Sequence, residues 1–295
     1  MERGVRSPFF IQYFRGMRLD GIGMMLISVV LFTTANVFVK EIAFLPTTQI
    51  VFMRSVVSLI LCSAFVLYKG FPYFGYNKKW LVIRGVFGMI ALTLFFYTIQ
   101  NIPLASATVI QYLSPVFTVI LAMLWLGQRV RGIQWVFLAL AILGVIMVKG
   151  FDPNVPLTFL LIGSTSAFLA AVAYIATIKC KDTDHPVSIV MYFHLIATPV
   201  MGGISTTNWE PIGMTEWWYG IAIGVLSVLA QIAMAFAIMK EDASVVTPFK
   251  YVGAILALAI GYFRYDEVLN PLSILGIFLV IGGVTLNILA NRYHW

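Results

Sequence analysis

Apolar residues run in long stretches along nearly the whole chain, and short segments that carry most of the charges separate them. A helix needs about 20 mostly apolar residues to cross the ~30 Å hydrocarbon core of a bilayer. About ten stretches meet this length, at 20–40, 46–68, 79–99, 103–126, 131–149, 157–178, 186–206, 217–239, 243–263 and 271–290. The pattern predicts an all-α integral membrane protein with ten transmembrane helices, numbered here as spans one to ten.

Charged residues make up 11% of the chain, against 61% hydrophobic residues, and lie mainly between the spans. Lysines and arginines outside the spans concentrate on the side that holds the N-terminus, whereas the other side has Lys40, Lys149 and Arg264. Because cytoplasmic loops carry the excess of these residues, we expect both termini in the cytoplasm and a multi-pass protein of a bacterial inner membrane. The same rule accounts for the net charge of +7, so no nucleic-acid partner is expected.

The predicted spans repeat along the chain. A shift of about 139 residues lays 21–149 on 160–288 without a gap. The matched landmarks include Lys40 with Lys179, Thr108 with Thr247, Gln111-Tyr112 with Lys250-Tyr251, and Gln128 with Glu267. Since each half has an odd number of spans, the second half must cross in the opposite sense. Such a 5+5 inverted-topology repeat is typical of secondary transporters, which bind their solute near the midplane between the halves.

The repeat and the flanking segments set the expected domain boundaries. Residues 1–18 are basic, with aromatic side chains at helical spacing, and predict an amphipathic segment on the cytoplasmic membrane surface. We expect the first repeat at 19–150, the second at 157–290 and a cytoplasmic tail at 291–295.

Two matched sets of polar residues lie inside the spans, Thr108, Gln111 and Tyr112 in span four and Thr247, Lys250 and Tyr251 in span nine. Each set falls on one helical face. A lysine at membrane depth costs about 2.5 to 3.5 kcal/mol on insertion scales, so Lys250 is expected to face a cavity or the bundle interior. The two faces predict a solute site that both halves build.

Other polar residues in the spans are candidates for the same site, namely Asn36, Arg54, Tyr97, Tyr174 and Gln231. Helix–helix hydrogen bonding is the alternative role for such residues, and Arg54 could also snorkel toward the surface. Pro115 and Pro248 lie inside spans, where proline kinks a helix, and are candidates for gating, with static shape as the alternative. His194 is a candidate for proton coupling, because histidine titrates near neutral pH.

The spans contain Arg54, Lys250 and His194 but no deep Asp or Glu. This balance favours an anionic or zwitterionic solute, and it leaves facilitated diffusion, exchange or proton coupling through His194 as modes of transport. Cys62 and Cys180 lack the spacing of metal ligands, and the histidines lack an HExxH context. No cofactor, metal or catalytic residue is expected.

Two segments resemble a known family. Residues 104–117 with Leu126-Gly127-Gln128 are similar to the end of a first EamA domain, and residues 243–251 with Tyr265-Asp266-Glu267 to the end of a second. The chain resembles two-repeat EamA permeases of the drug/metabolite transporter superfamily from about Gly21 to Ala290. The resemblance implies a ten-helix inverted repeat and a central cavity lined mainly by spans one, three, four, six, eight and nine. Gln128 departs from the family, whose first repeat usually has Glu there.

Together these features predict a secondary transporter that moves a small polar metabolite by alternating access. The expected solute is anionic or zwitterionic, such as an organic acid, an amino acid or a phosphorylated metabolite. Export of aromatic or hydrophobic amino acids or of drugs is an alternative. A membrane-embedded enzyme and a structural membrane subunit are alternatives from other classes. A monomer suffices for the predicted site, and a homodimer stays open.

Overall fold

The computed structural model describes residues 21–127, 132–151, 155–180, 182–240, 249–250, 252–267 and 271–293. This part of the chain is helical, with no strand. Its helices are α1 Gly21–Glu41, α2 Thr47–Lys69, α3 Lys78–Asn101, α4 Leu104–Gln111, α5 Leu113–Leu126, α6 Gly132–Phe151, α7 Leu157–Cys180, α8 Pro186–Ser205, α9 Met214–Lys240, α10 Val252–Tyr265 and α11 Pro271–Tyr293.

Seven segments of the described chain are long and apolar enough to cross a membrane, at Gly21–Glu41, Thr47–Lys69, Lys78–Asn101, Leu104–Leu126, Leu157–Cys180, Pro186–Ser205 and Met214–Ala237. Val252–Tyr265, which is α10, and Ile274–Gly283, which is part of α11, are shorter apolar helical segments. The structure therefore confirms the predicted all-helical, multi-pass membrane fold.

Proline and glycine mark several helix ends. Pro186 and Pro271 are the first residues of α8 and α11, where a missing N–H removes no intrahelical bond. Gly70 and Gly127 follow α2 and α5 with φ of 67° and 66°, the left-handed conformation that glycine adopts without steric cost. These residues explain why apolar runs stop where they do.

The helices pack in pairs that follow the sequence repeat. α1 packs on α9, α3 on α7, α2 on α8 and α6 on α11. The shift of about 139 residues turns the α1–α9 pair into the α7–α3 pair, and it maps the other two pairs onto themselves. Each half of the chain therefore packs mainly against the other half.

The predicted fourth span is interrupted at Tyr112, which separates α4 from α5. Tyr112 has ψ of 1°, and its N–H donates to the carbonyls of Thr108 and Val109. An unbroken helix would require an N–H at residue 115 to donate to the carbonyl of Gln111, and Pro115 has none. The break therefore lies one turn before the proline itself.

One end of the bundle holds the 41–46 turn and is closed by side chains that donate to backbone carbonyls. Lys40 Nζ donates to the carbonyl oxygens of Ile99, at 3.0 Å, and Ile102, at 2.7 Å. Gln100 Nε2 donates to two carbonyls of the 41–46 turn, at 3.1 and 2.8 Å. These bonds tie the end of α1 and the turn that follows it to the end of α3, and we name this region the 41–46 end.

Glu267 joins the two halves of the chain at the 41–46 end. Both of its carboxylate oxygens accept from the N–H of Leu104, at 3.1 and 2.9 Å, which caps the N-terminus of α4. Its Oε1 lies 3.7 Å from Lys40 Nζ. A Cβ at Gly261 would stand 2.6 Å from Glu267 Oε2, so glycine leaves room for this side chain. We name Glu267, Lys40 and Leu104 the Glu267 clasp.

At the opposite end, two residues before α8 organise the loops. Asp184 accepts from the backbone N–H groups of Tyr76, at 2.6 Å, and Asn77, at 3.1 Å. His185 caps α8, since its Nδ1 accepts from the N–H of Val187 at 3.1 Å, and its ring stacks on Phe71 with centroids 4.2 Å apart. Burial lowers the pKa of His185 from 6.5 to about 4.

Candidate solute-binding cavity

A cavity of about 210 Å³ lies among α1, α3, α4, α7, α9 and the start of α10, and one residue each of α2 and α8 also lines it. Its wall is mostly apolar and aromatic, with a small number of polar groups, as is common for small-molecule sites. The predicted site residues that line it are Asn36, Arg54, Thr108, Gln111, Tyr112, Tyr174, Gln231 and Lys250. The structure thus brings most of the described candidates to one place.

Tyr97 and His194 do not line this cavity. Tyr97 is 42% exposed, and its ring packs on Phe159 with centroids 5.8 Å apart, on the outer surface of the bundle. His194 is fully buried behind the cavity wall, where its ring meets Phe193 edge-on at 4.7 Å. Neither ring nitrogen has a hydrogen-bond partner among the described residues. The coupling role of His194 stays a prediction.

Several predicted residues fall outside what the structure describes. They are Thr247, Pro248, Tyr251 and Gln128, together with the side chain of Pro115. The proposed roles of these residues in binding and gating stay predictions.

Lys250 lies two residues before α10, where the second half of the chain enters the cavity. Its Nζ is 4.7 Å from the centroid of the Tyr174 ring, a cation–π distance. The hydroxyl of Tyr112 donates to the carbonyl of Lys250 at 2.6 Å. A Cβ at Gly253 would stand 2.5 Å from that hydroxyl, so glycine allows the approach. The break between α4 and α5 is thereby fixed against the start of α10.

Gln111 is held from the other side of the cavity by α7. Its Oε1 lies 3.0 Å from the hydroxyl of Ser166, which also bonds to the carbonyl of Ala91 at 2.7 Å. Thr108 uses its hydroxyl to donate to the carbonyl of Leu104. Thr108 therefore contributes mainly shape to the wall, whereas Gln111 contributes an oriented amide.

Arg84 also lines the cavity, although it was not among the predicted site residues. It lies in the second turn of α3. Helical spacing could have indicated this position, because Arg84 shares a helical face with Gly88, Ala91 and Phe95, all of which line the cavity. Its Nη2 donates to Gln231 Oε1 at 3.4 Å.

The cavity is electropositive. Arg54, Arg84 and Lys250 line it, whereas the two ion pairs of the described chain, formed by Lys40 and Arg264, lie at the 41–46 end. Charges act over longer range in a low-dielectric interior than in water. An arrangement of this kind can attract and orient the negative group of a small solute.

The fold and this cavity define a multi-pass membrane transporter. The EamA-like transporter family matches the chain at residues 19–150 and 157–289. The chain belongs to the EamA-like transporter family, in agreement with the resemblance seen in its sequence.

Curated relatives of the chain are transporters rather than enzymes. The pseudopaline exporter CntI of Pseudomonas aeruginosa (strain UCBPP-PA14) is 31% identical over 89% of this chain and 93% of its own length. Mouse solute carrier family 35 member G1 is 27% identical over 90% of this chain and 77% of its own length. The S-adenosylmethionine uptake transporter of Rickettsia conorii is 23% identical over 89% of this chain and 90% of its own length. Each of these three relatives is named as a transporter or a solute carrier.

A solved crystal structure shares the fold. It superposes with a TM-score of 0.69 over 92% of this chain and 98% of the other, at 18% sequence identity.

Proposed function

We propose that the chain is an alternating-access secondary transporter of a small anionic or zwitterionic metabolite. The cavity with three cations, Arg54, Arg84 and Lys250, is the observation that carries this proposal. Charged groups inside a membrane protein are costly and mark solute pathways. Organic acids, amino acids and phosphorylated metabolites all have the required negative group.

The architecture we propose is a 5+5 inverted repeat with halves at 19–150 and 157–290. The exchange of the α1–α9 and α3–α7 pairs under the sequence shift supports it, because a two-fold relation between halves requires such swapped partners. The cavity lies between helices of both halves, as in other transporters of this design. One chain contains the whole cavity, so a monomer suffices for transport.

The described state has its 41–46 end closed. Along α1 the cavity extends from Asn36 to Met25, toward the Gly21 end of the helix. We place the N-terminal segment 1–18 and the tail 291–295 in the cytoplasm of a bacterium, as the distribution of lysine and arginine indicates. The closed end then faces the outside, and the solute exchanges with the cytoplasm in this state.

Export of aromatic amino acids is a second candidate. Phe32, Phe95, Phe96 and Tyr174 line the cavity and offer ring faces to an aromatic solute. Such a solute is zwitterionic, so its carboxylate would still use the cavity cations.

Purified protein should be tested first by thermal unfolding against amino acids, organic acids, nucleotides and sugar phosphates, because a ligand of the native state raises its apparent stability. Compounds that stabilise the protein then enter counterflow assays in proteoliposomes. We expect saturable counterflow of an anionic or zwitterionic compound, and none in liposomes without protein. Preference for aromatic amino acids over the other compounds would favour the second candidate, and uptake that rises linearly with concentration would indicate a pore.

A further inference from the structure

Two arginines from different helices of the first half converge on one ring of the second half. The Cζ of Arg54, on α2, lies 5.5 Å from the centroid of Phe193, and the Cζ of Arg84, on α3, lies 5.4 Å from it. Phe193 lies on α8, and all three residues line the cavity. We name these residues the arginine pair and its ring.

Arg54 is enclosed without the partners that a guanidinium requires. It is 2% exposed, and its Nε and Nη1 have no hydrogen-bond partner within the described chain. Its Cζ also lies 5.7 Å from the centroid of Phe96. Two rings attract the charge but accept no hydrogen bond in the guanidinium plane. Donors that are buried and unpaired in this way point to an acceptor that arrives with the solute.

The position of the Arg84 side chain depends on a glycine one turn later in α3. A Cβ at Gly88 would collide with Arg84 Nη1 and would stand 3.0 Å from Phe193 Cδ2. Glycine at position 88 therefore lets the guanidinium lie along the helix and reach the ring. Gln231 accepts from Arg84 at 3.4 Å and orients it from α9.

The sequence around Arg54 and Arg84 has no acidic residue that could neutralise their charges. No Asp or Glu occurs in the sequence between Glu41 and Asp152, a stretch that contains both arginines. Lys250 is a separate positive group, which approaches the cavity from the second half beside Tyr174. The cavity thus has the two arginines on α2 and α3 and a third cation just before α10.

We propose that Arg54 and Arg84 form an anion subsite distinct from Lys250, and that the solute carries at least two oxyanion groups, carboxylate or phosphate. This inference rests on the proposed function and narrows its solute class. The planar forks of the two arginines match the oxygen pair of a carboxylate or phosphate. The second anionic group of the solute lies at Lys250, and the apolar wall encloses the carbon skeleton between them.

The test uses thermal unfolding of the full-length protein in lipid nanodiscs, with citrate, 3-phosphoglycerate and the monoanion lactate as probes at equal ionic strength. Citrate or 3-phosphoglycerate is expected to raise the melting temperature of the wild type, and lactate is not. Comparison of the two effective probes separates carboxylate from phosphate recognition. In Arg54→Gln and Arg84→Gln the apparent affinity for the effective probe should fall at least about tenfold, as expected for loss of a charged hydrogen bond. Arg264→Gln, at the 41–46 end, is the matched control and should bind like the wild type.

Without any probe, Arg54→Gln and Arg84→Gln should unfold at the wild-type temperature or above it, because the substitution removes an uncompensated buried charge. Unfolding at a clearly lower temperature would show that the arginines serve the fold and would overturn the inference. Gly88→Ala retains both charges and should reproduce the loss of affinity seen in Arg84→Gln. Equal stabilisation by lactate, or no stabilisation by either polyanion, would also overturn it.

Counterflow in proteoliposomes separates this inference from the function on which it rests. If a solute with a single anionic group shows saturable counterflow that Arg54→Gln leaves unchanged, the transport function stands and the anion subsite does not. If the wild type shows no saturable counterflow of any compound that stabilises it, the proposed function itself fails.

Discussion

At the scale of single residues, Lys250 combines a charge with a fixed position. Its backbone carbonyl accepts from Tyr112, and its Nζ lies over the ring of Tyr174. The first contact holds the main chain in place whatever the side chain is, so substitutions at Lys250 change the charge and leave the helix start anchored. This separation makes Lys250 suitable for a test of solute contact.

We expect Lys250→Met to weaken solute binding at least about tenfold, because a charge-assisted hydrogen bond is lost. Lys250→Arg should also weaken it, since the guanidinium is larger and planar. Affinity is measured by titration of thermal stability with the best compound of the panel. Lys78→Met, at the exposed start of α3, is the control and should bind normally. Unchanged affinity in Lys250→Met would leave this lysine a structural role only.

Several residues of the cavity could be predicted from the sequence, whereas the direction in which each helix faces could not. Gln111, Tyr112 and Lys250 were predicted from helical spacing and do line it. Tyr97 was a candidate only because it is a polar residue inside a span, and it faces outward instead. Spacing shows which residues share a helical face, whereas the neighbouring helices decide where that face points. α3 is apolar nearly all round, so its pattern could not indicate its rotation in the bundle.

At the scale of elements, the helix ends are held by side chains that sequence analysis did not assign. The capping of α8 by His185 and of α4 by Glu267 depends on contacts with loops distant in sequence. The positions of the long helices could be predicted, because their length follows from the thickness of the bilayer. Pro115 indicated a kink in the fourth span, but the continuous apolar run on either side gave no sign that the helix would break one turn earlier, at Tyr112.

The cap on α8 should make stability depend on pH. The folded protein holds the pKa of His185 at about 4, below its ordinary 6.5. As the pH falls, the unfolded chain binds the proton first, so stability is lost progressively between pH 6.5 and 4. His185→Asn keeps a capping acceptor and does not titrate. The melting temperature of the wild type should therefore fall by a few degrees more than that of the variant between pH 7.5 and 5. Parallel curves for the two proteins would contradict this prediction.

At the scale of the whole molecule, alternating access requires the two ends of the cavity to open in turn. Met234 lines the cavity on α9, and Ile102 is 2% exposed at the 41–46 end. In a background without Cys62 and Cys180, Met234→Cys and Ile102→Cys should react with an impermeant thiol reagent from opposite sides of the membrane. Conditions that open the 41–46 end should raise labelling at one position and lower it at the other, each by several-fold.

Thr206→Cys, on the exposed surface of the 41–46 end, provides the control and should label equally in both conditions. Simultaneous labelling of Met234→Cys from both sides would describe a continuous pore. Labelling of Ile102→Cys from the cytoplasmic side and of Met234→Cys from the outside would reverse the proposed assignment of the closed end.

The strength of the Glu267 clasp also affects the turnover rate of transport. Its parts are hydrogen bonds between charged side chains and backbone groups, each worth about 1.5 to 3 kcal/mol, and a long, partly exposed ion pair worth about 1 kcal/mol or less. Water can replace each of these partners when the end opens, so the clasp closes the protein without locking it. Every 1.4 kcal/mol added to such a closure would slow its opening about tenfold if opening limits the cycle. A tighter clasp would therefore produce a more stable protein with a lower turnover rate.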